Sequence, residues 1–291
     1  MTIGAPAENL RQHVGVPIGS PVLVVDGVRL AVAREGRGDQ TVVCLHAIGH
    51  GGRDYEAFAA AVKDRFDVIR IDWPDQGRSG PDTKAPTAAR YAELLAGVLT
   101  QLKVERPIII GNSIGGAAAI IYTSESPVQA LVLCDAGGLF EITPAIKRIC
   151  RVFVRFFAAG ARRAWWYKAA FAAYYRIVLP AAATQRRRIV RAAFEIAPVL
   201  RDAWLGFGAP DADIRYLARK LDVPVWFAWA KSDRILPLRY AMPVIAEIRL
   251  GRVTRFKGGH SAFLECPKQF VREFLKFARS ISASAMSSQI R

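Results

Sequence analysis

Acidic residues are scarce in this chain. Asp and Glu number 25 against 41 Lys and Arg over 291 residues, a formal charge of +16 and a pI near 10.2. A surplus of that size brings nucleic acid, an anionic membrane or an anionic substrate into view as partners and says nothing of fold. Cysteine is scarce too. Cys44, Cys134, Cys150 and Cys266 stand far apart with no CxxC pair, which argues against a disulfide framework and a zinc site. Free buried thiols in a reducing compartment are the expectation. No run of about 18 apolar residues exists, so no membrane-spanning helix is expected. The longest candidate, residues 107–122, is interrupted by Gly111, Asn112, Ser113, Gly115 and Gly116. Residues 1–21 carry Glu8, Asn9, Arg11 and Gln12 and lack an apolar leader core, so a cytoplasmic location is expected. Helix-turn-helix, RNP and zinc-finger patterns are absent, and no nucleic-acid partner is expected. There are no internal repeats.

What is present is apolar and ordered. Hydrophobic residues make up 52% of the chain and charged residues 23%, enough for a sizeable core. Short apolar runs at 22–25, 28–33, 41–45, 68–71, 107–110, 130–133, 223–230 and 252–256 read as eight strands. The first two flank Asp26-Gly27, a hairpin signal. The later ones are continuously apolar, as strands covered on both faces must be. Helical patterns fall between them at 55–63, 88–102, 115–124, 238–245 and 267–281. This alternation predicts an α/β fold: a mostly parallel eight-stranded sheet with helices on both faces.

One stretch breaks the rhythm. Residues 139–216 hold no strand-like run and read as helices at 144–157, 161–178 and 184–204. The expected division is a core of 20–138 and 217–281, a helical cap of 139–216, and terminal extensions of 1–19 and 282–291, the latter frayed. The charge belongs to the cap: residues 139–220 carry sixteen basic and five acidic residues. Ile146, Ile149, Phe153 and Phe156/Phe157 follow one helical stripe and Trp166, Phe171, Tyr174 and Val178 a second, with Arg148, Arg151 and Arg155 on another face.

Gly111-Asn112-Ser113-Ile114-Gly115 fits G-x-S-x-G. The pattern is weak alone, but an apolar strand precedes it and a small-residue helix start follows. A sharp strand-to-helix turn tolerates only small neighbours and lifts a serine hydroxyl to the sheet edge. The hydroxyl needs a base, and the base needs an orienting acid. The order expected in this architecture is Ser, then acid, then His. Asp233 and His260, one of only four histidines, each follow a predicted strand, where sites form on open α/β sheets. Asp222 and Asp213 are weaker rivals. Backbone amides of Ile114 and, in the loop Leu45-His46-Ala47-Ile48-Gly49-His50, of Ile48 are the expected oxyanion donors. His46 is a candidate substrate contact or a structural loop residue, and His50 lines the site or faces solvent.

These motifs, with Asp72-x-Pro74-x-x-Gly77-x-Ser79, resemble those of the α/β-hydrolase superfamily over essentially the whole chain. Within it the stretch Gly111 to Ala117, with Leu131-Val132-Leu133 and Gly137-Gly138-Leu139, is most similar to the meta-cleavage product hydrolases, serine enzymes that cut a C–C bond in vinylogous diketo acids. The resemblance implies an α/β-hydrolase fold with its cap before the last two strands, and a cofactor-free, metal-free serine hydrolase. It implies substrate contacts from Asn112 and from a cap arginine, which falls on Arg191, that grips a carboxylate. Trp166 joins them as a cap aromatic. Ser261 stands where that family has Trp, Ala47 where it has Gly, and Asp75 where Gly is common. A serine at 113 argues against the relatives that attack with Asp. The expected substrate is a small molecule, apolar and carboxylate-bearing or neutral, cleaved at an ester or a C–C diketone bond. Peripheral membrane contact through the basic cap, as in a lipid or acyl hydrolase, a low-turnover ligand-binding role, and a homodimer all stay open.

Overall fold

The computed structural model describes residues 10–289, with side chains for 12–281. The predicted extension at 1–19 therefore lies outside the described residues as far as residue 9, as do residues 290 and 291 of the C-terminal one.

Eight strands form one sheet: β1 (Val22–Val25), β2 (Val28–Glu35), β3 (Gln40–Leu45), β4 (Phe66–Ile71), β5 (Ile108–Asn112), β6 (Ala130–Cys134), β7 (Val225–Ala230) and β8 (Gly251–Phe256). Their order is β1-β2-β4-β3-β5-β6-β7-β8, antiparallel through the first three and parallel from β4 onward. Asp26 and Gly27 both adopt positive φ, 48° and 76°, and close the β1–β2 hairpin as the two-residue turn predicted. Strands β4 to β7 are buried at every position, which explains why their sequences do not alternate.

The helices are α1 (Glu56–Val62), α2 (Ala88–Gln101), α3 (Ile114–Glu125), α4 (Pro144–Ala161), α5 (Tyr167–Val178), α6 (Ala183–Arg191), α7 (Ala197–Phe207), α8 (Arg215–Ala218), α9 (Leu238–Ile245), α10 (Ala262–Glu265) and α11 (Pro267–Gln289). Helices α4 to α7 fall between β6 and β7. Three expectations need correction. The helix expected over 184–204 is two, α6 and α7, because Pro198 lacks the N–H and its ring would strike the carbonyl of Phe194. Helix α11 does not fray at residue 282; neither Gly nor Pro follows Pro267, and it runs to Gln289. Ile149 is not on the inward stripe of α4: it is 52% exposed, while Cys150 and Phe157 are buried.

The segment ahead of β1 is part of the body. Val14 and Val16 are buried, and the Val16 amide donates to both carboxylate oxygens of Asp72. Asp72, in the loop after β4, also accepts from the Gly52 and Arg78 amides at 2.7 and 2.9 Å. One buried carboxyl thus joins the N-terminal segment, the loop after β3 and its own loop. Gly15 and Gly77 must be glycine here, since a Cβ on either would fall within 2.6 Å of an Asp72 oxygen.

Candidate active site

Strands β3, β5, β6, β7 and β8 point the same way, so their C-terminal ends share one edge. Ser113 sits there, at the turn from β5 into α3, with φ 54° and ψ −118°. A non-glycine residue adopts that conformation only when its surroundings hold it. The Ser113 amide donates to the Cys134 carbonyl, and the Ser113 carbonyl accepts from Gly116, Ala117 and Gly137. Close packing explains the glycines around it. A Cβ at Gly111 would lie 2.4 Å from the Gly115 carbonyl oxygen, one at Gly115 2.5 Å from that of Leu45, and one at Gly116 2.7 Å from the Ala136 Cβ.

His260 and Asp233 meet in the loops after β8 and β7. The His260 Nδ1 to Asp233 Oδ2 distance is 2.9 Å, and both residues are buried. The other Asp233 oxygen accepts from the Ile235 and Leu236 amides. Burial opposes ionisation of Asp233, but the His260 charge, its hydrogen bond and these two amides prevail and hold the carboxyl below its ordinary value. With Nδ1 committed to Asp233, Nε2 is the ring nitrogen left to accept a proton.

The His260 backbone is held from both sides. Its amide donates to the Val178 carbonyl at the end of α5, 2.8 Å away. Its carbonyl accepts from Asn112 Nδ2 at 3.0 Å, which draws the histidine loop onto the residue before Ser113. Glu265 adds a second tie, accepting from the Gly259 amide on one oxygen and from the Ala181 amide on the other.

Two loop amides face no competition. The Gly49 amide is taken by Gln76 Oε1 and that of His50 by the Ala47 carbonyl. The Ile48 amide has no partner among the described residues. Ile114 opens α3, so its N–H is one of the orphan donors of a helix first turn. A helix N-terminus and free amides favour negative charge.

A family model described as "Alpha/beta hydrolase family" matches residues 42–273, more than half of the chain. The chain belongs to the α/β-hydrolase family. A 2-hydroxy-6-oxononadienedioate/2-hydroxy-6-oxononatrienedioate hydrolase of Cupriavidus pinatubonensis is 33% identical over 125 residues, 40% of this chain and 43% of that protein, so the match spans less than half of that relative. Among solved structures, a thermophilic esterase from Thermogutta terrifontis superposes with a TM-score of 0.76 at 21% identity, covering 89% of this chain and 97% of the other. A meta-cleavage product hydrolase from Pseudomonas fluorescens does so with 0.72 at 18% identity, covering 90% and 98%. At those identities the likeness is one of fold.

In this α/β hydrolase, the four candidate substrate contacts take the following places. Asn112 is fully buried and its amide is spent: Nδ2 donates to the Cys134 and His260 carbonyls, and Oδ1 accepts from Ser261 Oγ at 2.8 Å. It positions the loop and has no free proton to offer a substrate. His46 is fully buried, with Nδ1 against the Ala47 carbonyl and Nε2 accepting from the Trp73 amide. Burial pushes its pKa down to about 4, and it acts as a neutral structural bridge. Arg191 is the exposed last residue of α6. Trp166 is 39% exposed at the start of α5, on the outer edge of the aromatic cluster. His50 does not face solvent: it is buried, 2.5 Å from Asp54 and against the Tyr175 ring.

Three residues were not anticipated. Ser261, where the resembling family has Trp, is fully buried and locked onto Asn112. Arg188, three residues before Arg191, has a buried Nη1 without a partner. Asp135 follows β6 as Asp233 follows β7, and the strand-end rule that selected Asp233 would have found it. An oxygen of Asp135, one of Asp233 and a nitrogen of His260 lie within 4.8 Å of one another. Such a trio resembles a metal site, but its donors are committed. Asp135 Oδ1 accepts from the Ala230 amide, Asp233 Oδ1 from two amides, and His260 Nδ1 stands at hydrogen-bond distance from Asp233. Burial, then the Asp233 charge, pushes the Asp135 carboxyl far above its ordinary value. Of the two neighbouring carboxyls, Asp135 is the one that burial drives toward its neutral form. Its Oδ2 is buried and has no hydrogen-bond partner among the described residues.

Proposed function

We propose that this α/β hydrolase works through a serine nucleophile, with Ser113, His260 and Asp233 as its triad. His260 Nε2 takes the Ser113 proton as Oγ attacks the substrate carbonyl carbon, and Asp233 fixes the ring and stabilises the imidazolium. The oxyanion is received by the Ile48 and Ile114 amides. His260 then protonates the leaving group, and water, activated by the same histidine, releases the acyl group. No cofactor or metal ion is required by these steps. The supporting observation is the pairing of His260 with Asp233 at 2.9 Å on the edge where Ser113 occupies its strained turn.

Residues 139–216 form the cap in this reading, and 20–138 with 217–281 the catalytic core. The cap sets the substrate class. Phe153 stacks on Trp204 with centroids 4.1 Å apart, and contacts continue through Tyr174 and Tyr175 to His50 beside the oxyanion loop. An aromatic cluster of that kind, reaching the loop after β3, favours an ester, or a C–C diketone, with a sizeable apolar part. The unpartnered Arg188 Nη1 favours a carboxylate-bearing substrate, in the role the resemblance had placed on Arg191.

The test is hydrolysis of a p-nitrophenyl ester series and of a vinylogous diketo acid, with a fluorophosphonate probe in parallel. Expected are probe labelling at Ser113 and turnover that Ser113→Ala lowers by about 10³-fold or more. Unchanged turnover in Ser113→Ala sinks the mechanism. Labelling without turnover of any substrate favours a ligand-binding role.

A further inference from the structure

From Ile142 to Phe194 the chain carries twelve basic residues and no acidic one. Among the described residues, only Arg163 of the twelve forms a salt bridge, to Glu195 at 3.2 Å. The field of this segment is thus almost unneutralised by the protein itself. Helix α4 shows how it is displayed. Arg148, Arg151, Val152 and Arg155 recur at i, i+3, i+4 and i+7, one face of the helix, and all are exposed, with Ile149 at its flank. Ile149 and Val152 are 52% and 59% exposed, whereas the other side of α4 buries Cys150 and Phe157 and stacks Phe153 on Trp204 of α7. Beyond the end of α4 the exposed Arg162 is followed by Trp165, which is 92% exposed.

Branched apolar side chains and a bare tryptophan set among unpaired arginines are costly in water. They match a bilayer surface, which offers phosphate and carboxylate groups to the cations and acyl carbon to the apolar groups at one level. Nucleic acid satisfies the charge but gives Ile149 and Val152 nothing to pack on. Among the described residues no helix is long and apolar enough to cross a membrane, so the contact is peripheral. We propose that the outer face of α4 and the turn after it dock on an anionic membrane surface. Arg148, Arg151, Arg155 and Arg162 meet the headgroups, while Ile149, Val152 and Trp165 enter the interface. This inference does not depend on the triad.

The full chain is sedimented with large vesicles of phosphatidylcholine alone and with 30% phosphatidylglycerol. Pelleting is expected only with the anionic vesicles, falling severalfold between low and 0.5 M salt. The triple variant R148Q/R151Q/R155Q should lose at least tenfold in partitioning, and Trp165→Ser should weaken it at unchanged charge. Both should keep the parent's melting temperature and its hydrolysis of a soluble ester. Four results overturn the proposal: no pelleting at low salt; pelleting that ignores both variants; loss with the arginine variant alone, accompanied by equal binding of a DNA duplex, which marks a general polyanion patch; or a dimer in light scattering that Trp165→Ser dissociates, which assigns this face to a second copy.

Discussion

Carboxyl oxygens of Asp135 and Asp233 lie within 4.8 Å of each other at the ends of neighbouring strands, yet only Asp233 meets His260. Two carboxyls so close and so buried cannot both ionise, and Asp233 keeps the charge because it has the histidine and two amides. Burial holds Asp135 toward its neutral, proton-bearing form beside Asp233, and such a donor draws charge from that carboxylate. The groups facing this pair are His260, Cys134, Tyr174 and, through His260, Glu265.

Removing that donor with Asp135→Ala leaves Asp233 a stronger partner for the imidazolium, so the acid-side fall of kcat/KM should move to higher pH. A hydrogen bond to a charge is worth roughly 1.5–3 kcal/mol, so the move is about one to two pH units. Asp135→Asn keeps an N–H donor and should leave the limb in place. A move to lower pH in Asp135→Ala would mean that Asp135 carries a charge, and identical profiles in all three proteins would leave it a purely structural residue.

Asn112 separates positioning from binding. Its three hydrogen bonds go to Cys134, His260 and Ser261. Asn112→Ala should lower kcat by about tenfold or more with KM nearly constant, since the loss falls on His260 placement and not on substrate contact. Steady-state kinetics on one ester decide it: a raised KM at constant kcat restores the substrate contact implied by the resemblance.

The sheet, the strained turn at Ser113 and the strand-end positions of Asp233 and His260 could be read from sequence because they rest on local signals. Continuous Val and Ile runs mark doubly covered strands, and the glycines around Ser113 are spaced by clashes within a few residues of one another. What was not legible depends on partners far away in the chain. Nothing near Asn112 announces that the carbonyl it needs is that of His260, 148 positions on. Arg188 and Arg191 differ by less than one helical turn, yet one has a buried nitrogen and the other is exposed. Their directions follow from how α6 packs, which no local pattern states. Asp135 is a different case: its position at the end of β6 is as visible in the sequence as that of Asp233 at the end of β7.

Gly259 marks the place where the end of α5 and the histidine loop touch. A Cβ there would lie 2.3 Å from the Val178 carbonyl oxygen and 2.6 Å from Pro180 Cδ, next to the hydrogen bond from His260 to Val178. Backbone on one side and a rigid ring on the other cannot yield cheaply. Gly259→Ala should therefore push α5 and the loop apart, lowering kcat/KM by an order of magnitude or more and stability by about 1–3 kcal/mol. Activity and urea unfolding measured together test this. A stable variant of full activity would show that α5 does not hold the histidine.

Asp72 governs stability, and its pH dependence has a definite sign. Burial raises its carboxyl from 3.8 to about 6, against the pull of amides from Arg78, Gly52 and Val16. Between those pH values the folded protein binds a proton that the unfolded chain has released. The stability owed to this group is fully present below about pH 4 and is lost as pH rises to about 6. Asp72→Asn removes the titration, so the wild type's advantage over it should shrink across that window and stay level above. Asp72→Ala orphans three backbone N–H groups and should cost about 3 kcal/mol or more at any pH. Urea unfolding of the three proteins at pH 4, 5, 6 and 7 separates the two effects. An advantage that widens with pH would mean that the ionised carboxyl, gripped by its amides, is the form the fold prefers.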